Sequence, residues 1–351
     1  MLRQFAGQWL AASLVALSAP FVAGTAAAGM AEYLLPPNGD TVIGVVTTTV
    51  AEHEDTLLDI ARRFGVGYEE IITANPGVDP WLPGDGTEIL IPTRFVLPDA
   101  PREGIVVNLP EHRLYYFPPA ASGAPRVVRT YPISTGKMDW KTPLGMTKIV
   151  SKQERPNWYP PESVRLEHEA KGDPLPKVVP PGPDNPLGEY AMRLNIPGGA
   201  YLIHGTNRPA GVGMQVTHGC IRLYPEDIAE FYAMVPVNTK VDLIDQTTKV
   251  GWSRGTLYLE RQPPLEGTDD PSHLDPAELD RVVNAATAGL DVTVDWNKAR
   301  QAFQQMTSVP VPIGIRNFSR TIAAPAAAEP SVPAAPGVEP DMSAPPAATA
   351  H

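Results

Sequence analysis

The apolar positions change period several times along the chain, and each change predicts a different element. A β-branched run, Thr47-Thr48-Thr49-Val50, reads as a short strand. Leu57, Ile60, Ala61 and Phe64 then follow the i, i+3, i+4, i+7 stripe of a helix, which Asp55 or Thr56 can cap and which Gly65 and Gly67 stop. Ile71 and Ile72 mark a second short helix, ended by the turn Asn75-Pro76-Gly77. Leu82-Pro83-Gly84-Asp85-Gly86 leads into a strand over 87–91 that Pro92 closes. Strand, helix, helix and strand thus fit within residues 45–93, a stretch small for an independent core.

Over residues 103–246 the period is mainly two. Strands are predicted over 105–109 and 113–117, a hairpin around Pro110-Glu111-His112, and over 126–134, 146–150, 190–195, 200–204 and 239–244. One amphipathic helix over 225–234 carries Ile228, Phe231 and Tyr232. Between 155 and 188 the pattern lapses into a Pro-rich excursion with Trp158 and Tyr159. Connections that long are usually functional or disordered, and the aromatics favour a lid. Residues 32–41 read as a lead-in. Residues 247–320 add a strand over 256–260 and two helices over 276–288 and 296–306, a helical extension. Residues 321–351 are dominated by Ala and Pro, lack the apolar content for a core and predict a disordered tail. The fold expected is a mainly β domain, a β-sandwich with one helix, behind a small βααβ unit.

Composition narrows the function. A net charge of -11 argues against a nucleic-acid protein, whose footprint is a basic patch or stripe. Proline, at 41 of 351 residues, disfavours a helical bundle and suits short strands and turns. At the N-terminus Arg3 precedes a mostly apolar run from Leu10 to Val22, and small residues follow at Ala26 and Ala28. Residues 1–28 therefore read as a cleavable signal peptide, with no transmembrane anchor in the mature chain. An exported chain with a single cysteine, Cys220, has no internal disulfide available, so a reactive nucleophile, intermolecular pairing and a buried inert thiol are the three readings.

The neighbours of Cys220 decide among them. Chemistry concentrates in Tyr201-Leu202-Ile203-His204-Gly205-Thr206 and Thr217-His218-Gly219-Cys220-Ile221-Arg222-Leu223. A thiolate attacks carbonyls and a free thiol is only slightly ionised at neutral pH, so it needs a base or a cation nearby. His204 ends an apolar strand, and the glycines of 207–216 let the chain fold back to bring it beside Cys220. Gly219 allows close backbone approach, and backbone N–H groups there can form an oxyanion hole. Arg222 can hold a carboxylate bidentately. His204, His218 and Cys220 could instead be zinc ligands, but there is no further Cys and no H-E-x-x-H.

These two stretches resemble the active-site motif of the L,D-transpeptidases with a YkuD-type catalytic domain. Gly104-Ile105-Val106-Val107-Asn108, Tyr131-Pro132-Ile133-Ser134-Thr135-Gly136, Thr142-Pro143 and Asn185-Pro186-Leu187-Gly188 extend the resemblance over residues 103–246. Residues 45–93 are similar to a LysM module, through Thr56-Leu57, Ile60-Ala61, Phe64-Gly65-Val66, Asn75-Pro76, Leu82-Pro83-Gly84 and Ile89-Leu90-Ile91-Pro92, with Glu54 where LysM usually has glycine. The first resemblance implies Cys220 as nucleophile, His204 as proton acceptor and donor, His218 in support, the Gly219 and Cys220 amides as oxyanion donors and Arg222 as substrate-orienting. It implies no cofactor. The reaction implied is attack on a peptidoglycan stem tetrapeptide, loss of D-Ala and transfer of the diaminopimelyl group from a thioester to an amine. The acceptor expected is the C-terminal Lys of the murein lipoprotein in the periplasm. Alternatives are 3–3 cross-linking, L,D-carboxypeptidase action and a non-catalytic peptidoglycan-binding scaffold.

Overall fold

The computed structural model describes residues 31–36, 39–137, 140–198, 201–267 and 275–317. The expected signal peptide and the Ala/Pro tail lie outside these residues. The first elements are Ala31–Leu34 (β1), Val42–Gly44 (β2), Thr47–Val50 (β3), Leu57–Arg63 (α1), Tyr68–Ala74 (α2), Glu88–Ile91 (β4) and Arg94–Val96 (β5). Next come Gly104–Asn108 (β6), Arg113–Phe117 (β7), Val127–Pro132 (β8), Thr135–Gly136 (β9), Gly145–Glu154 (β10) and Glu162–Ala170 (α3). Tyr190–Leu194 (β11), Leu202–His204 (β12), Gln215–Thr217 (β13), Ile221–Arg222 (β14), Pro225–Met234 (α4) and Lys240–Ile244 (β15) follow. The last are Thr248–Ser253 (β16), Thr256–Arg261 (β17), Pro276–Thr287 (α5), Val292–Val294 (β18), Trp296–Gln305 (α6) and Val311–Arg316 (β19).

β3-α1-α2-β4 stand in the predicted order, with β3 and β4 antiparallel. Thr56 is the cap of α1: its hydroxyl accepts from the Asp59 N–H and the Asp59 carboxylate accepts from the Thr56 N–H, a capping box. Leu57, Ile60, Ala61, Ile71, Ile89 and Ile91 close a small core of their own.

The main sheet runs β1-β8-β7-β6-β15-β10-β11-β12-β14, antiparallel except for β6–β15 and β12–β14. Its strands alternate between two apolar layers, as period two requires. On one face Ile105, Val107, Leu114 and Tyr116 pack with Ile203, Ile221 and α4 residues Ile228 and Phe231. On the other, Val106, Tyr115 and Phe117 meet Phe95, Ile43 and Leu97.

Three expectations are corrected. Part of the lead-in expected over 32–41 belongs to an edge strand, β1, paired to β8. The catalytic region has a second helix, α3, inside the excursion; its polar sequence buries only Val164, so it shows no apolar stripe. The C-terminal extension holds the two predicted helices, but packs them on a four-stranded sheet, β16-β17-β19-β18. Of its missed strands, β18 has three residues, β16 carries Gly251 within it, and β19 carries Pro312 next to a register shift, where proline is tolerated.

Both flanking units dock on the β6–β7 hairpin through buried charge. Arg113 makes a two-pronged ion pair with Glu70 of α2, at 2.7 and 2.6 Å, with both side chains buried. Two residues earlier, Glu111 meets Lys249 of β16 at 2.7 Å, and Lys249 also reaches Glu260 of β17 at 2.8 Å. Burial and the neighbouring Glu111 raise the Glu260 carboxyl above its ordinary range, against the pull of Lys249. Between them, His112 sits at φ 50° and its Nδ1 lies 3.1 Å from the Thr135 hydroxyl of β9. Three successive residues thus reach the βααβ unit, the C-terminal unit and the strand that pairs with β13.

Candidate active site

The cleft is set by strand register. β12 and β14 run parallel with Ile203 opposite Ile221 and His204 opposite Arg222. Ile203, Ile221 and Leu223 face the core. Alternation then turns Leu202, His204, Cys220 and Arg222 to the opposite face, and all four line one cavity of about 460 Å³. The period-two pattern therefore brings together, across 15 intervening residues, three of the residues singled out in the sequence.

The turn before β14 admits only glycine at its centre. Gly219 has φ +93°, and a Cβ there would lie 2.9 Å from the Tyr201 ring. Thr142 fixes this turn: its hydroxyl donates to the Gly219 carbonyl at 3.1 Å and accepts from the Gly136 N–H at 3.2 Å. Thr217 donates to the Cys220 carbonyl at 2.6 Å. A Cβ at Gly136 would come within 2.1 Å of the Trp140 carbonyl and 3.1 Å of the Gly219 Cα, so the two glycines allow two backbones to touch.

The electrostatics fix one tautomer. His204 Nδ1 lies 2.6 Å from the Gly205 carbonyl, an acceptor only, so Nδ1 carries the proton and Nε2 is left as the base. Burial, with the positive Arg222 nearby, lowers the His204 pKa to about 3, against the pull of the Gly205 and Leu187 carbonyls. The imidazole is neutral at any physiological pH. Burial pushes the Cys220 thiol up, partly offset by a Leu202 backbone hydrogen bond and by Arg222. At rest the pair is thiol and neutral imidazole, so proton transfer accompanies attack.

His218 turns elsewhere. Its Nε2 lies 3.0 Å from Glu167 of α3, and its ring packs 5.3 Å from Trp140. Glu167 also accepts from Lys171 at 2.8 Å and Lys137 at 3.4 Å. The Lys171 and His218 hydrogen bonds hold its carboxyl down at about 2. His204, His218 and Cys220 do not gather as a metal-binding trio: among the described residues no group of three His, Cys, Asp or Glu does. The excursion over 155–188 forms the roof. Trp158 and Val179 exchange two backbone hydrogen bonds of 2.9 Å, and the buried Asn185 amide ties its base to the Pro156 carbonyl at 2.8 Å. Trp158 and Tyr159 line the cavity as the aromatic pattern predicts. Glu167 and Thr217 carried no role in the sequence reading. An acidic residue in a helix without an apolar stripe gives no local signal, and a threonine beside the cysteine motif does not announce which carbonyl its hydroxyl meets.

Residues 102–243 match the YkuD family, the L,D-transpeptidase catalytic domain. The Probable L,D-transpeptidase YcfS of Escherichia coli K12 is 40% identical over 294 residues, 81% of this chain and 88% of that protein. The Probable L,D-transpeptidase ErfK/SrfK of the same strain is 39% identical over 288 residues, covering 80% and 90%. The Probable L,D-transpeptidase YbiS is 37% identical over 286 residues, again covering 80% and 90%. A mainly β fold, one cavity face carrying His204, Cys220 and Arg222, and relatives matched over most of their length lead to one conclusion: this chain belongs to the L,D-transpeptidase family.

Proposed function

We propose that the protein transfers the acyl group of a peptidoglycan stem tetrapeptide through a Cys220 thioester to the C-terminal Lys of the murein lipoprotein. The observation that carries the reading is the shared cavity face of Cys220 and His204, with Nε2 left as the ring's base. Cys220 Sγ attacks the L-centre carbonyl of diaminopimelate, and its proton passes to His204 Nε2. The C–N bond to D-Ala breaks, and D-Ala leaves with that proton on its nitrogen. The acceptor amine then attacks the thioester, gives its proton to Nε2, and Sγ departs to regain it. The Gly219 and Cys220 amides take the oxyanion, Arg222 orients a substrate carboxylate and His218 steadies the roof through Glu167. No cofactor enters these steps. The βααβ unit, as a LysM module, binds the glycan, and residues 1–28 direct export to the periplasm. No helix among the described residues is long and apolar enough to cross a membrane.

Mass spectrometry of the mature protein with tetrapeptide muropeptides, with and without a Lys-terminated peptide, tests this. Release of D-Ala and a product joined to the Lys peptide are expected, and Cys220→Ala should give neither adduct nor product. Muropeptide dimers alone would replace the lipoprotein with a 3–3 cross-link, and free tripeptide would indicate hydrolysis. Absence of an adduct from folded protein would leave a binding scaffold.

A further inference from the structure

The catalytic cavity has a neighbour. A second cavity of about 620 Å³ shares Trp158, Val164, Pro186, His218 and Arg222 with the first, so the two meet at the catalytic strand ends. Part of its wall comes from outside the catalytic region, from Leu58 of α1 and the exposed Trp81 of the βααβ unit. That wall is fixed. The N–H groups of Tyr68 and Glu69, at the start of α2, donate to the carbonyls of Val212 and Gly213 at 3.1 and 3.2 Å. A Cβ at Gly213 would come within 2.2 Å of the Tyr68 nitrogen. The loop between His204 and Cys220 is therefore gripped by the βααβ unit, and Arg62 adds a two-pronged pair to Glu226 of α4 at 2.7 and 2.8 Å.

Two guanidiniums, Arg208 and Arg222, line this second cavity, and the charge of Arg208 bears on the Arg222 guanidinium. Like charges side by side are costly unless an anion sits between them. Among the described residues neither makes an ion pair, and Arg222 Nε is buried with no acceptor. Asp173 and Asp184 lie on the same cavity, Asp173 within 3.2 Å of His168. A cavity with paired cations, aspartates and an apolar wall suits a zwitterionic peptide end better than a simple anion.

We propose that the second cavity is a recognition site for an acceptor carrying a free carboxylate, held between Arg208 and Arg222, with Trp81 of the βααβ unit as its outer wall. This rests on the transpeptidase reading above and makes Arg208 and Trp81 specificity-determining residues. Both candidate acceptors, a C-terminal lysine and the D-centre of diaminopimelate, carry such a carboxylate. Water does not.

The test compares Nα-acetyl-lysine with Nα-acetyl-lysine amide as acceptors, since they share one nucleophilic amine and differ only in the carboxylate. With tetrapeptide donor, the acid should be used with at least about ten-fold higher kcat/KM than the amide, the discrimination one charge-assisted pair provides. Arg208→Gln should bring the acid-to-amide ratio close to one while leaving the rate of Cys220 acylation by donor unchanged. Trp81→Ala should raise the acceptor KM several-fold without moving the donor KM, and Trp81→Phe should restore it. Equal use of acid and amide by the unaltered enzyme, or an unchanged ratio in Arg208→Gln, would overturn the site while the Cys220 adduct still formed. A missing adduct with donor alone would overturn the transpeptidase reading and this site with it.

Discussion

The βααβ unit and the C-terminal unit are built differently and dock in the same way. Each has its own apolar core, and each is joined to the β6–β7 hairpin by a buried ion pair, Glu70–Arg113 on one side and Lys249–Glu111 on the other. What differs is what lies beyond the joint. The βααβ unit continues to the loop that precedes Cys220 and to the wall of the second cavity. The C-terminal unit holds β5 behind the sheet, where Lys249 donates to the Val96 carbonyl at 2.7 Å and the Val96 N–H donates to Glu260 at 2.6 Å; past β17 it has an exposed tie to β13, where Glu266 and Gln215 exchange hydrogen bonds of 2.8 and 3.2 Å. Similar docking chemistry thus serves a wall of the second cavity on one side and, on the other, support for β5 with an exposed tie to β13.

The largest effects break the joints. Arg113→Met strands Glu70, and Lys249→Met leaves Glu111 and Glu260 facing each other, each without its buried cation. Removing one partner of a buried pair costs about 3–5 kcal/mol, so both variants should melt well below the parent in a thermal scan. At temperatures where both are folded, only Arg113→Met should slow Cys220 acylation. Equal slowing in the two would erase the distinction between the sides.

Two glycines offer a gentler version. Gly213→Ala strains a φ of +88° and drives a Cβ into the Tyr68 nitrogen. Gly251→Ala puts a Cβ 2.2 Å from the Thr41 hydroxyl at the C-terminal joint. Each should cost about 1–3 kcal/mol in urea unfolding, but kcat/KM should fall only for Gly213→Ala.

Titration examines the cleft itself. Because His204 stays neutral down to about 3, donor acylation should keep its rate between pH 7 and 5, where an ordinary histidine would protonate. The raised thiol pKa means less thiolate at a given pH. Iodoacetamide should therefore alkylate Cys220 more slowly than free cysteine at pH 7, with an inflection above the ordinary thiol range. A break in the acylation rate near pH 6.5 would contradict the neutral imidazole. Smallest is Glu167→Gln, which loosens partly exposed contacts from α3 to His218, Lys171 and Lys137. Solvent screens such contacts, so the donor KM should rise by no more than about five-fold.

Legibility in the sequence followed the strength of local pattern. The βααβ unit could be read because Leu57, Ile60 and Ala61 repeat at helical spacing behind the Thr56 cap and all are buried. The catalytic strands could be read because Ile203 and Ile221 alternate with His204 and Arg222. Strand β1 was hidden because Glu32 and Tyr33 offer little apolar pattern and its partner β8 is about a hundred residues away. Helix α3 was hidden because tertiary contacts through Val164 and Glu167, not an apolar stripe, hold it in place. The grip of α2 on Val212 and Gly213 uses backbone atoms, which no side-chain pattern announces.

The Glu111-His112-Arg113 turn bears on how this enzyme could be inherited or dissected. The family match covers residues 102–243, which includes the turn but neither Glu70 nor Lys249. A gene fragment encoding that span alone would carry an acid and a base made for partners it no longer has, two residues apart on one hairpin. A fragment that keeps both buried pairs is therefore longer than the recognisable domain, extending from the βααβ unit through β17.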